Sequence, residues 1–103
     1  MTTPTGSESR PLLEGQRAVI VGASRGLGRV VAEAFADAGA SLMLVAREEA
    51  PLIEVSRDCK IRAQSGQVAL WHAADISRPN DVESMVQRAV QAFGSIDILV
   101  CNA

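Results

Sequence analysis

The chain has 103 residues, of which 48% are apolar and 21% are charged, and its formal net charge is −2. This balance is typical of one globular domain, and it argues against a disordered chain and against the basic surface that nucleic-acid binding requires. The sequence has neither the roughly 20-residue apolar run of a membrane span nor the N-terminal pattern of a secretory signal, so we expect no membrane partner.

Residues 1–14 are rich in Thr, Ser, Pro and Glu, which predicts a flexible N-terminal tail before a folded domain over residues 15–103. Within that domain, short apolar runs alternate with segments of helical periodicity. The runs predict strands at residues 18–21, 42–46, 68–71 and 96–101. All but the last lack polar interruptions, as expected of strands that are covered on both faces.

Two of the segments between the strands carry an apolar stripe at helical spacing. The first stripe comprises Leu27, Val30, Val31, Ala34, Phe35 and Ala38. The second comprises Val82, Met85, Val86, Ala89, Val90 and Phe93. A middle helix over residues 50–64 has a weaker pattern, formed by Leu52, Val55 and Cys59.

Glycine and proline mark the expected ends of these helices. Glycine tolerates the left-handed conformation that often ends a helix, which predicts helix ends near Gly39, Gly66 and Gly94. Pro79 fits the first turn of the last helix, and Asn80 followed by Glu83 resembles a capping pair.

The spacing of the strands predicts the topology. Their starts recur at intervals of about 24, 26 and 29 residues, the length of a strand, a crossover helix and two short loops. Right-handed crossovers then give an α/β fold, a Rossmann-type doubly wound parallel sheet. We expect a partial form of it, β-α-β-α-β-α-β, with strand order 3-2-1-4.

A glycine-rich loop between the first strand and the first helix is the strongest chemical signal. Its sequence is Gly22-Ala23-Ser24-Arg25-Gly26-Leu27-Gly28. Gly22 permits a tight turn, Gly26 lets the main chain approach a ligand, and Gly28 lets the helix pack closely on the sheet. The free N–H groups of the helix start favour an anion, so the loop predicts a pyrophosphate site rather than a turn that binds nothing.

Four segments together resemble the short-chain dehydrogenase/reductase family. The run from Gly15 to Gly22 is similar to its GKVALVTG opening, and the loop is similar to T-G-x-x-x-G-x-G. Ala74-Asp75-Ile76 resembles the Asp that follows the third strand, and residues 93–103 resemble F-G-x-I-D-I-L-V-N-N-A-G. Two positions depart from the family pattern, because Val21 replaces Thr and Cys101 replaces the first Asn, so the side-chain tie between them is expected to be lost.

The resemblance implies an oxidoreductase that transfers hydride between a nicotinamide dinucleotide and a small carbonyl or alcohol substrate. It assigns Asp75 to the adenine amino group, with the Ile76 backbone beside it, and Asn102 and Ala103 to the cofactor ribose. A turn role for Asp75 near Ser77 and Pro79 is the alternative. The candidate cofactor-binding residues are Gly22, Ser24, Arg25, Gly26, Leu27, Gly28, Arg47, Asp75, Ile76, Asn102 and Ala103.

The end of the second strand favours NADP(H) over NAD(H). NAD sites place a carboxylate there for the ribose 2′-hydroxyl, whereas this chain has Ala46 followed by Arg47. Arg47 and Arg25 together suit a 2′-phosphate. Two alternatives stay open: Arg47 is a solvated residue balanced by Glu48 and Glu49, or Glu48 reaches the 2′-hydroxyl.

The sequence contains no tyrosine and a single lysine, Lys60, so it lacks the Tyr-x-x-x-Lys pair that the resemblance implies for catalysis. We therefore predict no catalytic residue here, a chain that is inactive alone, and a fragment of a longer enzyme that forms homo-oligomers. A non-catalytic nucleotide-binding or interaction module is the alternative. Cys59 and Cys101 have no metal-ligand spacing, which predicts no metal site and fits free thiols in the cytoplasm.

Overall fold

The computed structural model describes residues 11–102 as a four-stranded sheet with three helices. The elements in chain order are β1 Arg17–Val21, α1 Gly26–Asp37, β2 Ser41–Ala46, α2 Glu49–Arg62, β3 Ala69–Ala73, α3 Pro79–Phe93 and β4 Ile98–Cys101. All three strand pairings are parallel and the strand order is β3-β2-β1-β4, which confirms the predicted topology. None of these helices has the length and apolar character needed to span a bilayer.

Alternating residues of β1 and β2 supply the two faces of the core, because successive side chains of a strand point to opposite sides. On one face, Ile20 and Leu44 are fully buried in the cluster that α1 and α2 cover. On the other face, Val19 and Met43 are buried in a cluster with Met85 and other residues of α3. Both faces of the two central strands are thus covered, as their continuous apolar sequence predicts.

The predicted stripe of α1 is confirmed only in part, since Val31 and Phe35 pack against the core. The helix buries Gly28, Ala32 and Ala36, whereas Leu27 and Val30 are 66% and 59% exposed. Ala34 is also exposed, and Val31 and Phe35 are partly buried. The buried row has i, i+4, i+8 spacing and only small side chains, because α1 packs too closely on the sheet for larger ones.

The apolar pattern of α2 is confirmed, since Leu52, Val55 and Cys59 are all fully buried. In α3, Met85 and Ala89 are buried as predicted, but Val86 and Val90 are 41% and 46% exposed. The α3 stripe is therefore confirmed only in part, because Val86 and Val90 lie on a side of the helix that does not face the sheet.

The predicted capping pair of α3 is wrong. Arg78 occupies the N-cap position, and Asn80 and Glu83 both lie within the helix. Pro79 is in the first turn and Gly94 ends the helix at φ +81°, both as predicted. Gly66 also has a positive φ, but α2 ends earlier, at Arg62.

The segment before β1 packs against the C-terminal end of α1. Residues 11–14, which the sequence assigns to the tail, form a turn in which the Leu13 amide donates to the Ala38 carbonyl at 2.7 Å. The Leu13 side chain packs against the α1–α2 side of the core. The tail expected at residues 1–10 lies outside the described residues.

Candidate cofactor-binding site

A cavity of about 700 Å³ opens at the carboxyl ends of the strands. Its walls come from the β1–α1 loop, the turn after β2, the segment after β3 and the residue after β4. The lining residues are Val21, Gly22, Ser24, Arg25, Gly26, Leu27, Ala46, Arg47, Glu48, Ala74, Asp75, Ile76, Ser77 and Asn102. Ligands of open α/β sheets bind at this edge, and the volume suits a small-molecule or cofactor site.

The glycines of the β1–α1 loop have the conformations that their assigned roles require. Gly22 has φ +81° and Gly26 has φ +57°, values that side chains with a Cβ rarely adopt. A Cβ on Gly26 would meet no atom within 4 Å, so this stretch of main chain is open to a ligand. A Cβ on Gly28 would collide with the Gly22 carbonyl, so close packing of α1 depends on glycine there.

The start of α1 offers unpaired backbone donors to this cavity. Arg25 is the N-cap in an extended conformation, and the first backbone bond of the helix runs from the Arg29 amide to the Arg25 carbonyl. Within residues 11–102, the amides of Gly26, Leu27 and Gly28 have no hydrogen-bond partner. Such amides at the positive end of a helix dipole stabilise an anion.

Two arginines lie at the side of the cavity next to β2. The Arg25 Nη2 atom donates to the Glu48 Oε2 atom at 3.3 Å, which links the glycine-rich loop to the turn after β2. Arg47 follows Ala46, is exposed and makes no ion pair with any residue in the described part of the chain. Both arginines that the sequence assigns to the cofactor line the cavity, and a carboxylate is bonded to one of them. Their contact with a cofactor stays a prediction.

Asp75 lies at the cavity, but its side chain already has local partners. Its Oδ1 atom accepts hydrogen bonds from the amide of Ser77 at 2.9 Å and from its hydroxyl at 2.6 Å. These bonds lower the pKa of Asp75, and the positive charges of Arg78 and Arg47 act in the same direction. The turn role is thus observed, while the contacts of Asp75 and of the Ile76 backbone with adenine stay a prediction.

Ser77 is a cavity residue that the sequence did not assign to the site. The Asp-x-Ser pattern before Pro79 is the signal that could have identified it, because Asp side chains commonly bond to the residue two positions later in a turn. The Asp75 amide is fixed as well, since it donates to Asp81 at 2.8 Å. Hydrogen bonds within the protein therefore hold both Asp75 and Ser77 in the segment that follows β3.

The end of β4 is attached to β1 through backbone atoms. Val21 and Cys101 are register partners, so the two departures from the family pattern lie side by side. The Asn102 amide donates to the Val21 carbonyl at 2.9 Å, so a backbone bond holds these strand ends together without a side-chain tie. Asn102 lines the cavity, and Ala103 lies outside the described residues.

Other chemistry-bearing residues lie apart from this cavity. Burial, followed by the positive charge of Arg88, lowers the pKa of His72, and Lys60 is exposed on α2. Within residues 11–102, no group of three His, Cys, Asp or Glu side chains is placed to hold a metal ion. The cavity is thus the place where the described chain concentrates potential ligand contacts.

Comparison with known proteins gives consistent matches. The family model described as short chain dehydrogenase matches residues 16–103. The chain is 37% identical over 99 residues to the short chain dehydrogenase/reductase astE of Aspergillus oryzae, covering 96% of this chain and 37% of that protein. It is 40% identical over 99 residues to 3beta-hydroxysteroid dehydrogenase 2 of Eggerthella lenta, covering 94% of this chain and 37% of that protein.

A solved structure agrees with these sequence matches. The L-sorbose reductase from Gluconobacter frateurii, crystallised with NADPH and L-sorbose, superposes with a TM-score of 0.84 at 39% identity. The match covers 92% of this chain and 35% of that one. The chain thus spans little more than a third of the length of the relatives it matches. The sheet order, the glycine-rich loop and these matches together show that the chain belongs to the short-chain dehydrogenase/reductase family of oxidoreductases.

Proposed function

We propose that this chain is the NADP(H)-binding portion of an oxidoreductase that transfers hydride between nicotinamide and a carbonyl or alcohol substrate. One observation carries the choice of cofactor: Arg25 and Arg47 line the cavity where β2 ends in Ala46. Ala46 has no carboxylate to bind a ribose 2′-hydroxyl or to repel a phosphate, whereas guanidinium groups bind phosphate oxygens well. The NADPH bound to the L-sorbose reductase supports the same choice.

The residues present fit a dinucleotide. The amides of Gly26, Leu27 and Gly28 are unpaired within residues 11–102, and no Cβ blocks them at Gly26 or Gly28. We assign the pyrophosphate to this loop and the adenosine end to the side formed by Arg47 and Asp75. Ser24 and Leu27 line the same wall, and Asn102 lies across the cavity at the end of β4.

In this proposal the residues of the chain bind and orient the cofactor, which itself supplies the hydride chemistry. A proton donor near the substrate oxygen is also needed, and the chain has no tyrosine for that role. Because the relatives are nearly three times as long, we assign the donor and the substrate contacts to residues outside these 103. Homo-oligomer formation and a cytoplasmic location, which the free thiols of Cys59 and Cys101 support, belong to the same proposal.

Titration calorimetry of the full-length protein with NADPH and with NADH tests the proposal. One good charge-assisted contact contributes roughly 1.5–3 kcal/mol, so we expect NADPH to bind at least about tenfold more tightly than NADH. Equal dissociation constants for the two cofactors would contradict the preference for NADP(H). Absence of a response to either cofactor would contradict the cofactor site itself.

A further inference from the structure

The bond between Arg25 and Glu48 joins two residues that both line the cofactor cavity. Their side chains are 72% and 69% exposed, so no packing holds either of them in place. Glu48 is the residue before α2, and its side chain forms no capping bond to that helix. Its one bonded partner within residues 11–102 is therefore Arg25.

Arg47 differs from Arg25 in this respect. It is exposed at the cavity and has no bonded carboxylate in the described chain, although the charge of Asp75 is near enough for the two to influence each other. Of the two guanidinium groups at this side of the cavity, one is already bonded and the other is open to an anion.

We infer that Glu48 is a specificity-determining residue that competes with the cofactor 2′-phosphate for Arg25, so that NADP(H) binds by exchanging one anion for the other. This inference rests on the proposed function, because it assumes that the phosphate enters beside Arg47. The 2′-phosphate displaces the Glu48 carboxylate from Arg25. A cofactor with a 2′-hydroxyl has no charge with which to do so, and it leaves the pair intact.

The expected size of the effect follows from the exposure of the pair. Exposed ion pairs contribute about 1 kcal/mol or less, which corresponds to at most about fivefold in a dissociation constant. Glu48 thus weakens the preference for the phosphorylated cofactor without abolishing it. Removing the charge of Glu48 while keeping its shape is expected to tighten binding of ligands that carry the 2′-phosphate, and of those alone.

The test uses Glu48→Gln in the full-length protein, with 2′,5′-ADP and 5′-AMP as probes, because they differ in the 2′-phosphate and lack nicotinamide. By calorimetry at about 0.15 M ionic strength, where the Debye length is about 8 Å, we expect the variant to bind 2′,5′-ADP about two- to fivefold more tightly and 5′-AMP within about twofold of the original protein. Weaker binding of 5′-AMP by the variant would overturn the inference, because Glu48 would then be holding the ribose.

Two further variants separate anion exchange from a general effect of charge. Glu49→Gln removes the same charge from the next residue, which does not line the cavity, and it is expected to change 2′,5′-ADP binding by less than about twofold. In an Arg25→Ala background, the gain from Glu48→Gln is expected to fall to the level of the Glu49 control. An undiminished gain there, or an equal gain from Glu49→Gln, would overturn the inference.

The proposed function and this inference fail in different ways. If neither the original protein nor Glu48→Gln binds NADPH or 2′,5′-ADP, the proposed function is wrong. If the original protein binds both and Glu48→Gln brings no gain, the proposed function holds and the role of Glu48 is wrong.

Discussion

A Cβ atom on Gly28 would lie 2.7 Å from the carbonyl carbon of Gly22, because α1 begins directly against the turn that leaves β1. No side chain fits between these two segments of backbone. The same close approach presents the first amides of α1 to the cavity. Packing of the helix and the proposed binding of an anion therefore depend on one structural feature.

We predict that Gly28→Ala lowers the free energy of unfolding by about 1–3 kcal/mol, the usual cost of forcing an extra group into a packed site. It should also weaken NADPH binding, because α1 must move away from the loop. Urea denaturation and calorimetry measure the two effects. Gly26→Ala is the comparison, since its Cβ meets open space and only its φ of +57° opposes it, at about 1 kcal/mol. Equal stabilities of Gly28→Ala and the original protein would show that α1 does not depend on this contact.

Arg47→Ala is expected to weaken NADPH binding about tenfold or more and to leave NADH binding nearly unchanged, because only NADPH carries the 2′-phosphate. Paired titrations with the two cofactors measure this. Arg57→Ala is the matched control, because Arg57 is an exposed arginine of α2 that does not line the cavity. A loss of affinity for both cofactors with Arg47→Ala would point instead to a structural role at the end of β2.

We expect His72 to lower the stability of the protein as the pH falls below neutrality. Burial, together with the charge of Arg88, lowers its pKa below the usual 6.5, so the unfolded chain binds the proton more readily than the folded one. The stability that the neutral form provides is present above the unfolded pKa and is lost as pH falls through the folded pKa. We expect His72→Gln to lose less stability than the original protein between about pH 8 and about pH 5 in urea titrations. Identical losses would show that His72 does not titrate differently on folding.

Cys59 is expected to be inert toward thiol reagents in the folded protein. Burial is the main cause that raises its pKa to about 11, and the negative charge of Glu33 adds to this, so almost no reactive thiolate forms near neutral pH. The Cys101→Ser variant leaves Cys59 as the one cysteine of this sequence. In that variant, labelling with a chromogenic disulfide reagent at about pH 8 should be slow until urea is added. Rapid labelling without denaturant would mean that α2 opens readily from the sheet.

The local pattern of the sequence was sufficient for the elements and their order. The runs around Ile20 and Leu44 predict buried parallel strands, and the glycine spacing from Gly22 to Gly28 predicts the phosphate-binding loop. The strands are confirmed and the glycines have the conformations that such a loop requires, because strand burial, turn conformation and close backbone approach are properties of residues that are neighbours in the chain. Phosphate binding itself stays a prediction. The strand order also followed, since right-handed crossovers leave few alternatives.

The buried face of α1 and the Arg25–Glu48 bond were decided only by the tertiary structure. Periodicity identifies the most apolar stripe of a helix, but the distance between α1 and the sheet selected the row of Gly28, Ala32 and Ala36. Arg25 and Glu48 are 23 residues apart, and the parallel arrangement of β1 and β2 brings the loops after them together. Contacts of this kind depend on how separate elements are placed in space, which the residues of any one segment do not determine.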